Sequence, residues 1–296
     1  MTSTHNPAHL LPPSWRATVH AWLADDMPDF DYGGYVVGEA PSVGALWCKS
    51  PGVLAGVPFA TEVFRHLDCT VDWHVAEGTF VDPTTEPAGK VRVATVRGAA
   101  RNLLMAERTA LNLMARCAGI ASRARALVQL KEKHGFKGAI AGTRKTTPGF
   151  RLVEKYALHV GGVDPHRYSL SSMIMLKDNH IWSTGSITNA VRAAKTAGGF
   201  ALKVEVECQS EAEAVEAIEA GADIVMLDNY TPREMKVQAA SLKKRWPHVL
   251  VEASGGITIE SVADWFDDSI DVISMGSLTQ GVPFVDYSLK IVKGEQ

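Results

Sequence analysis

The sequence has no closely spaced cysteine pair: Cys48, Cys69, Cys117 and Cys208 are far apart and form no C-x-x-C. That spacing argues against a zinc site or a disulfide framework and suits a reducing compartment. Also missing are an apolar run approaching the roughly 20 residues that a membrane helix needs, and an N-terminal basic stretch followed by an apolar core. The expected location is therefore the cytosol, where the sequon Asn229-Tyr230-Thr231 would go unused. Charge of either sign is not in excess. Thirty Lys and Arg against 33 Asp and Glu leave a net charge of −3, so no global field draws nucleic acid or an anionic membrane. Any anion site must be built locally. No low-complexity segment and no fixed-period repeat is present.

What is present is a chain of 296 residues, 46% hydrophobic and 21% charged, long enough for two domains or for a barrel with an appendage. In the first part, Trp15, Val19, Trp22 and Leu23 share a helical face, and residues 59–67 suit a second helix. Cys69 to Val75 and Val91 to Val96 alternate as strands, and 45–57 reads as extended chain broken at Ser50-Pro51-Gly52. Few regular βα pairs occur here, which predicts an α+β domain with an antiparallel sheet. Residues 99–133 carry long helical periodicity with a predicted interruption near Cys117-Ala118-Gly119. By spacing alone Arg108, inside that stretch, is an exposed ion-pair residue.

From Gly138 the pattern becomes strand, loop, helix, repeated. Strands are predicted at 138–142, 172–176, 201–206, 223–227, 249–253 and 271–275, with capping boxes at Ser210/Glu213 and Thr231/Glu234. Such alternation means parallel strands with helices outside. Six units fall short of the eight in a complete (β/α)8 barrel. The expectation is an incomplete or atypical barrel, with 282–291 a candidate to complete it.

Every predicted strand end carries polar or glycine residues: Thr143-Arg144-Lys145, Lys177-Asp178-Asn179-His180, Glu205 and Glu207, Asp228-Asn229, Ser254-Gly255-Gly256, and Met275-Gly276. Six in register point to one cavity mouth, because ligands bind at the C-terminal ends of parallel strands. Alternation places Lys203, Glu205 and Glu207 on one strand face, and if the apolar face packs on helices the charged face points inward. Ser254-Gly255-Gly256 with Gly276 fits a phosphate cradle, aided by a helix predicted to start near Thr258, although turn geometry alone would also explain paired glycines. Arg144, Lys145, Lys177 and Arg167 make too many cations for a neutral substrate, and Glu207 and Asp228 suit sugar hydroxyls or a divalent ion carried by a polyphosphate. His166, alone in the loop Asp164-Pro165-His166-Arg167, could donate to a carboxylate, but by itself reads as a solvent-exposed loop histidine.

These residues resemble the quinolinate phosphoribosyltransferase family. The likeness is carried by Thr143 to Gly149, Phe150 to Tyr156, His166-Arg167, Lys177 to His180, Lys203 to Glu207, Leu227-Asp228-Asn229 and Glu252 to Ile257. It extends to Lys49 to Gly56 and Glu107 to Asn112, with no departure at the motif positions. The resemblance implies an N-terminal α/β sandwich domain over 1–116, with the tail 283–296 packed on it, and an atypical α/β barrel over 117–282 as the catalytic domain. It implies transfer of phosphoribose from phosphoribosyl pyrophosphate to quinolinate with loss of the 2-carboxylate, giving nicotinate mononucleotide for NAD biosynthesis. It also implies Mg2+ carried by the diphosphate near Glu207 and Asp228, and a homodimer with shared sites, higher assembly such as a hexamer left open. By residue, Thr143, Arg144, His166, Arg167 and Lys177 would hold quinolinate, with Arg108 reaching a partner subunit's site. Lys145, Glu207 and Asp228 would be catalytic, surrounding the ribose and diphosphate with Lys177. Ser254, Gly255, Gly256 and Gly276 would take the 5′-phosphate. Three rivals stand against this reading: a nicotinate phosphoribosyltransferase, a Schiff-base aldolase using Lys145 or Lys177, and a silent binding protein. Four cations around the base favour a dicarboxylate over nicotinate.

Overall fold

The computed structural model describes residues 6–294. Its first helix, α1 (Trp15–Asp26), buries Val19 and Leu23, which stand four residues apart and so share one side. Next come α2 (Tyr32–Val37), β1 (Pro41–Cys48), β2 (Gly52–Val53), α3 (Val57–His66), β3 (Thr70–Trp73), β4 (Phe80–Val81) and β5 (Val91–Ala99). The start of α3 is unusual: its N-cap is Gly56 in the left-handed region, and the Glu77 carboxylate accepts from the Gly56 and Val57 N–H groups at 2.9 and 3.0 Å. A carboxylate at a helix start satisfies amide donors that have no partner within the helix.

Helix α4 (Ala100–Lys133) is unbroken, so the interruption expected at Cys117-Ala118-Gly119 does not occur. Gly119 is there for packing, since a Cβ on it would overlap the Pro283 carbonyl oxygen. The glycine's cost to the helix, about 1 kcal/mol, admits that backbone segment.

The elements that follow are β6 (Ala139–Ala141), α5 (Arg151–Gly161), β7 (Ile174–Leu176), α6 (Asp178–Thr184), α7 (Ile187–Gly198), β8 (Val204–Cys208), α8 (Glu211–Glu219), β9 (Ile224–Asp228), α9 (Pro232–Arg245), β10 (Leu250–Ser254), β11 (Val272–Ser274) and β12 (Tyr287–Ile291). Thr231 and Glu234 make the reciprocal capping box on α9. On α8 only half of the expected box forms, because the Glu213 side chain accepts from Gln209 N–H instead of Ser210 N–H.

The chain forms two compact units. One comprises the residues up to Arg125, Thr147–Gly162 and those from Gly281 onward; the other comprises Ala126–Thr146 and Val163–Gln280. In the first, an antiparallel sheet runs in the order β12-β1-β5-β3, beside a short β2-β4 ladder. Its buried Glu154, on α5, accepts from the Arg116 guanidinium at 2.9 Å and from Thr147 N–H at 3.0 Å. In the second, six parallel strands run in the order β6-β11-β10-β9-β8-β7. The α-helices α7 to α9 carry buried apolar faces, such as Ile187, Val191 and Ala194 of α7.

The sheet is open, with β6 and β7 at its edges. The segment 282–291 does not complete it, because β12 is recruited as an antiparallel neighbour of β1. Nor does an α-helix begin near Thr258; the chain between β10 and β11 makes only a short 3-10 turn at Val262–Trp265. Lys203 precedes β8 and is exposed, so only Glu205 and Glu207 of the expected charged face lie on the strand. Among the described residues no helix is long and apolar enough to cross a membrane.

Candidate active site

At the C-terminal end of β6 the chain turns sharply through Thr143. Its hydroxyl oxygen accepts from Lys145 N–H at 3.0 Å, and the Lys145 carbonyl accepts from the Thr279 hydroxyl at 2.7 Å. Those two bonds fix the turn that separates Arg144 from Lys145. Arg144 is half-buried, and its Nε is out of water with no acceptor. Lys145 is exposed at its head, while its stem runs over Gly276, where an added Cβ would come within 3.0 Å of the lysine Cδ. A side chain at 276 would push Lys145 aside.

The loop from 164 runs beside β6: Asp164 N–H donates to the Ile140 carbonyl, and Ala141 and Asp164 form a parallel bridge. Asp164 then accepts from His166 N–H at 2.6 Å, holding His166 at φ 58°, a left-handed conformation that non-glycine residues adopt at a cost. This corrects the expectation of an exposed loop histidine. The His166 ring is only 9% exposed, and its Nε2 meets Glu252 Oε2 at 3.2 Å. Arg167 follows, with weak contacts from its guanidinium to the Met173 carbonyl at 3.4 Å and the Met175 sulfur at 3.1 Å.

At the end of β7, Lys177 reaches the Glu207 carboxylate of β8 as a direct ion pair. His180 caps α6 by accepting from Lys177 N–H at 3.1 Å, which accounts for a histidine three residues after the lysine. At the end of β9 the Asn229 amide donates to Asp228 at 2.6 Å. Register brings Ser254 opposite Asp228, and Gly255 lies so near that a Cβ there would stand 2.9 Å from the Asn229 amide oxygen. Gly255 and Gly256 both have positive φ, 100° and 62°, so the turn after β10 needs glycine. The Ser277 hydroxyl donates to the Ile257 carbonyl at 3.1 Å, tying that turn to the one after β11. In place of the expected helix end, a phosphate there would meet backbone N–H groups of two glycine turns.

Thus Thr143, Arg144, Lys145, His166, Arg167, Lys177, Glu207, Asp228, Ser254, Gly255, Gly256 and Gly276 all belong to the second unit; His166 and Arg167 lie in the loop between α5 and β7, just past the Ala141–Asp164 bridge, and the others stand at the C-terminal ends of its strands or in the loops that follow. Arg108 is the exception: it is exposed on α4 in the first unit. Two residues below the strand ends carried no assigned role in the sequence. Glu205 and Glu252 are 0% and 1% exposed, and Glu205, close to the negative charge of Glu252, is pushed up to about 9, chiefly by burial. The signal for Glu252 was a single charge at the centre of the apolar strand Leu250–Ser254. His166, Glu205 and Glu252 also bring three metal-ligating atoms within 4.8 Å of one another.

A strand edge crowded with cations over buried carboxylates is suited to an anionic ligand. Residues 31–118 match the N-terminal domain and residues 120–290 the C-terminal domain of the quinolinate phosphoribosyl transferase models. The chain belongs to this family. It is 53% identical over 289 residues to the nicotinate-nucleotide pyrophosphorylase [carboxylating] of Homo sapiens, covering 97% of this chain and 95% of that protein. The Rattus norvegicus protein of the same description is 52% identical over 283 residues, covering 95% and 93%. A solved nicotinate-nucleotide pyrophosphorylase from Francisella tularensis superposes with a TM-score of 0.85 at 32% identity, over 95% of this chain and 98% of that one. Quinolinate phosphoribosyltransferases therefore share with this chain both the antiparallel first domain and the parallel-sheet second one.

Proposed function

We propose that the strand edge of the second unit is where this chain carries out its family's reaction. The chain is a decarboxylating quinolinate phosphoribosyltransferase: it joins quinolinate to the phosphoribosyl group of phosphoribosyl pyrophosphate, giving nicotinate mononucleotide, carbon dioxide and diphosphate for NAD biosynthesis. The observation that carries the site assignment is the convergence of Arg144, Arg167 and Lys177, from three separate segments, around one buried carboxylate floor. Guanidinium forks bind carboxylates bidentately, and two of them beside a lysine match a dicarboxylate.

In this reading Arg144, Arg167 and Lys177, with the Thr143 hydroxyl, hold the two carboxylates and aim the pyridine nitrogen, and His166, both of whose ring nitrogens are engaged within the protein, lines the same site. Lys145, Glu207 and Asp228 surround the ribose and the diphosphate, and Ser254, Gly255, Gly256 and Gly276 receive the 5′-phosphate. Glu207 and Asp228 fit a magnesium ion bound by the diphosphate, since each presents a strand-end carboxylate at the cavity mouth. That ion, when bound, supplies charge neutralisation for the leaving group. The pyridine nitrogen attacks ribose C1′ as diphosphate departs, and Glu207 and Asp228 orient the ribose and stabilise the developing oxocarbenium charge. The positive ring nitrogen then stabilises the carbanion left when the 2-carboxylate leaves, so no Schiff base is required. Arg108 serves the site of a partner subunit in a homodimer, its exposure on α4 leaving it available. Four buried, unbridged cysteines support a reducing, cytosolic setting.

Incubation with phosphoribosyl pyrophosphate, magnesium and carboxyl-labelled quinolinate is expected to release labelled carbon dioxide; turnover of nicotinate in its place would overturn the reading. For the shared site, inactive Arg108→Ala and Arg144→Ala chains are expected to recover part of the activity when mixed. Failure to recover any would remove Arg108 from a partner's site.

A further inference from the structure

Beneath the cations lie two carboxylates that the reaction as described does not use. Glu205 projects from β8 and Glu252 from β10, with β9 between them, and both are almost fully buried. Both Glu205 oxygens and Glu252 Oε1 are buried without a hydrogen-bond donor. Buried carboxylates without donors are costly and seldom kept for stability.

What they face explains their retention. His166 Nδ1 accepts from Arg167 N–H at 2.8 Å, which leaves the ring proton on Nε2, pointed at Glu252. Glu252 therefore fixes which edge of the imidazole the cavity sees. Arg167 feels opposing neighbours besides its own burial: the like charge of Arg144, and the buried carboxyl pair of Glu205 and Glu252, in which burial and the Glu252 charge keep Glu205 protonated near neutral pH. Yet among the described residues no ion pair within 4.0 Å joins Arg144 or Arg167 to any carboxylate. Glu252, with the protonated Glu205 beside it, thus offsets the Arg167 charge at one remove. A direct bidentate bridge would occupy the same N–H groups that a substrate carboxylate needs. A divalent ion among His166, Glu205 and Glu252 would stand against the Arg167 charge, so the cluster suits cations carried on arginine better than a metal.

We propose that Glu205 and Glu252 are positioning residues for the dicarboxylate substrate. Glu252 orients the His166 ring, and the Glu205–Glu252 pair holds Arg167 beside Arg144 while leaving both guanidinium groups without a carboxylate partner. The inference rests on the reading that Arg144 and Arg167 bind quinolinate in the site that His166 lines.

The test is steady-state kinetics on full-length Glu252→Gln, Glu205→Gln, His166→Ala and Arg167→Ala, and on the His166→Ala/Glu252→Gln double variant. Glu252→Gln is expected to raise the quinolinate KM about tenfold, with Glu205→Gln moving it in the same direction. The KM for phosphoribosyl pyrophosphate should stay within about twofold in both, a split that a general loss of folding does not produce. If Glu252 acts through His166, adding Glu252→Gln to His166→Ala should cost clearly less than it does alone. Equal rises in both KM values, or full additivity in the double variant, would overturn the positioning role. An unchanged quinolinate KM in Glu252→Gln and Glu205→Gln, with raised values in His166→Ala and Arg167→Ala, would overturn it alone. Unchanged values in those last two variants as well would overturn the substrate assignment beneath it.

Discussion

In the first unit, the buried glutamates sit behind full sets of donors, although Asp31 Oδ2 and the Nε atoms of Arg92 and Arg101 are left without a partner. Glu62 accepts from Arg65, Arg16 and His20; Glu77 from two backbone N–H groups and the Tyr156 hydroxyl; Glu154 from Arg116 and from both the N–H and the hydroxyl of Thr147. In the parallel sheet of the second unit, Glu205 has no donor, Glu252 has one on a single oxygen, and Arg144 Nε has no acceptor. The first pattern is what a stable fold requires of buried charge. The second gathers unsatisfied polar groups around Arg167, a cluster that a ligand can complete.

The comparison breaks most visibly by removing a cation from the unsatisfied set. Arg144→Ala is expected to lower kcat/KM for quinolinate about a hundredfold or more, because a carboxylate loses a charged bidentate partner. Its melting midpoint should stay near that of the parent, since no protein partner is orphaned; a large fall in melting with normal quinolinate kinetics would place Arg144 with the structural charges.

Glu154→Ala should show the reverse emphasis. It leaves Arg116, which is mostly buried, without this carboxylate, and the expected cost is about 3–5 kcal/mol, read by chemical denaturation. A loss well under 1 kcal/mol would mean that the pairing in the first unit does not stabilise it. Because Thr147 follows the Arg144-Lys145 turn in sequence, some loss of activity should accompany the unfolding.

The smallest effect is a pH dependence. The Arg65 guanidinium, joined by His20, holds the Glu62 carboxyl down at about 2, against an ordinary 4.5. A carboxyl whose folded value is depressed contributes stability that is present above 4.5 and lost as the pH falls toward 2. The melting midpoint of the parent should therefore fall more steeply across that window than that of Glu62→Gln. Parallel curves would show that Glu62 titrates alike in the folded and unfolded chains.

Much of the site was legible in the sequence because parallel strands expose their C-terminal ends as a group. Once six apolar runs alternate with helices, polar residues after each run must share an edge, and Arg144, Lys177, Glu207, Asp228 and Gly255 do so. Local rules failed where a distant segment intervened. Gly119 looked like a helix break because nothing near it in sequence announces the Pro283 carbonyl that fills its missing side chain. The segment 282–291 looked like one more strand for the parallel sheet, but β1 had a free edge and captured it as β12. His166 looked exposed because loop histidines usually are, and neither its left-handed backbone nor Glu252 is close to it in sequence.

Local sequence was enough to place most strands of the second unit, though not their ends, to show which of those ends carry charge and, through long matching strings, to give the family and its chemistry. Periodicity, turn residues and motif spacing act over a few positions and can be read from the chain. Only the tertiary structure decided which charges are satisfied by protein and which are left open: that Glu154 is held by donors, that Lys177 is paired with Glu207, and that Glu205 and Glu252 stand behind Arg167 without binding it. Burial and pairing depend on residues that meet only when β8 and β10 are brought into one sheet, and no local pattern encodes that meeting.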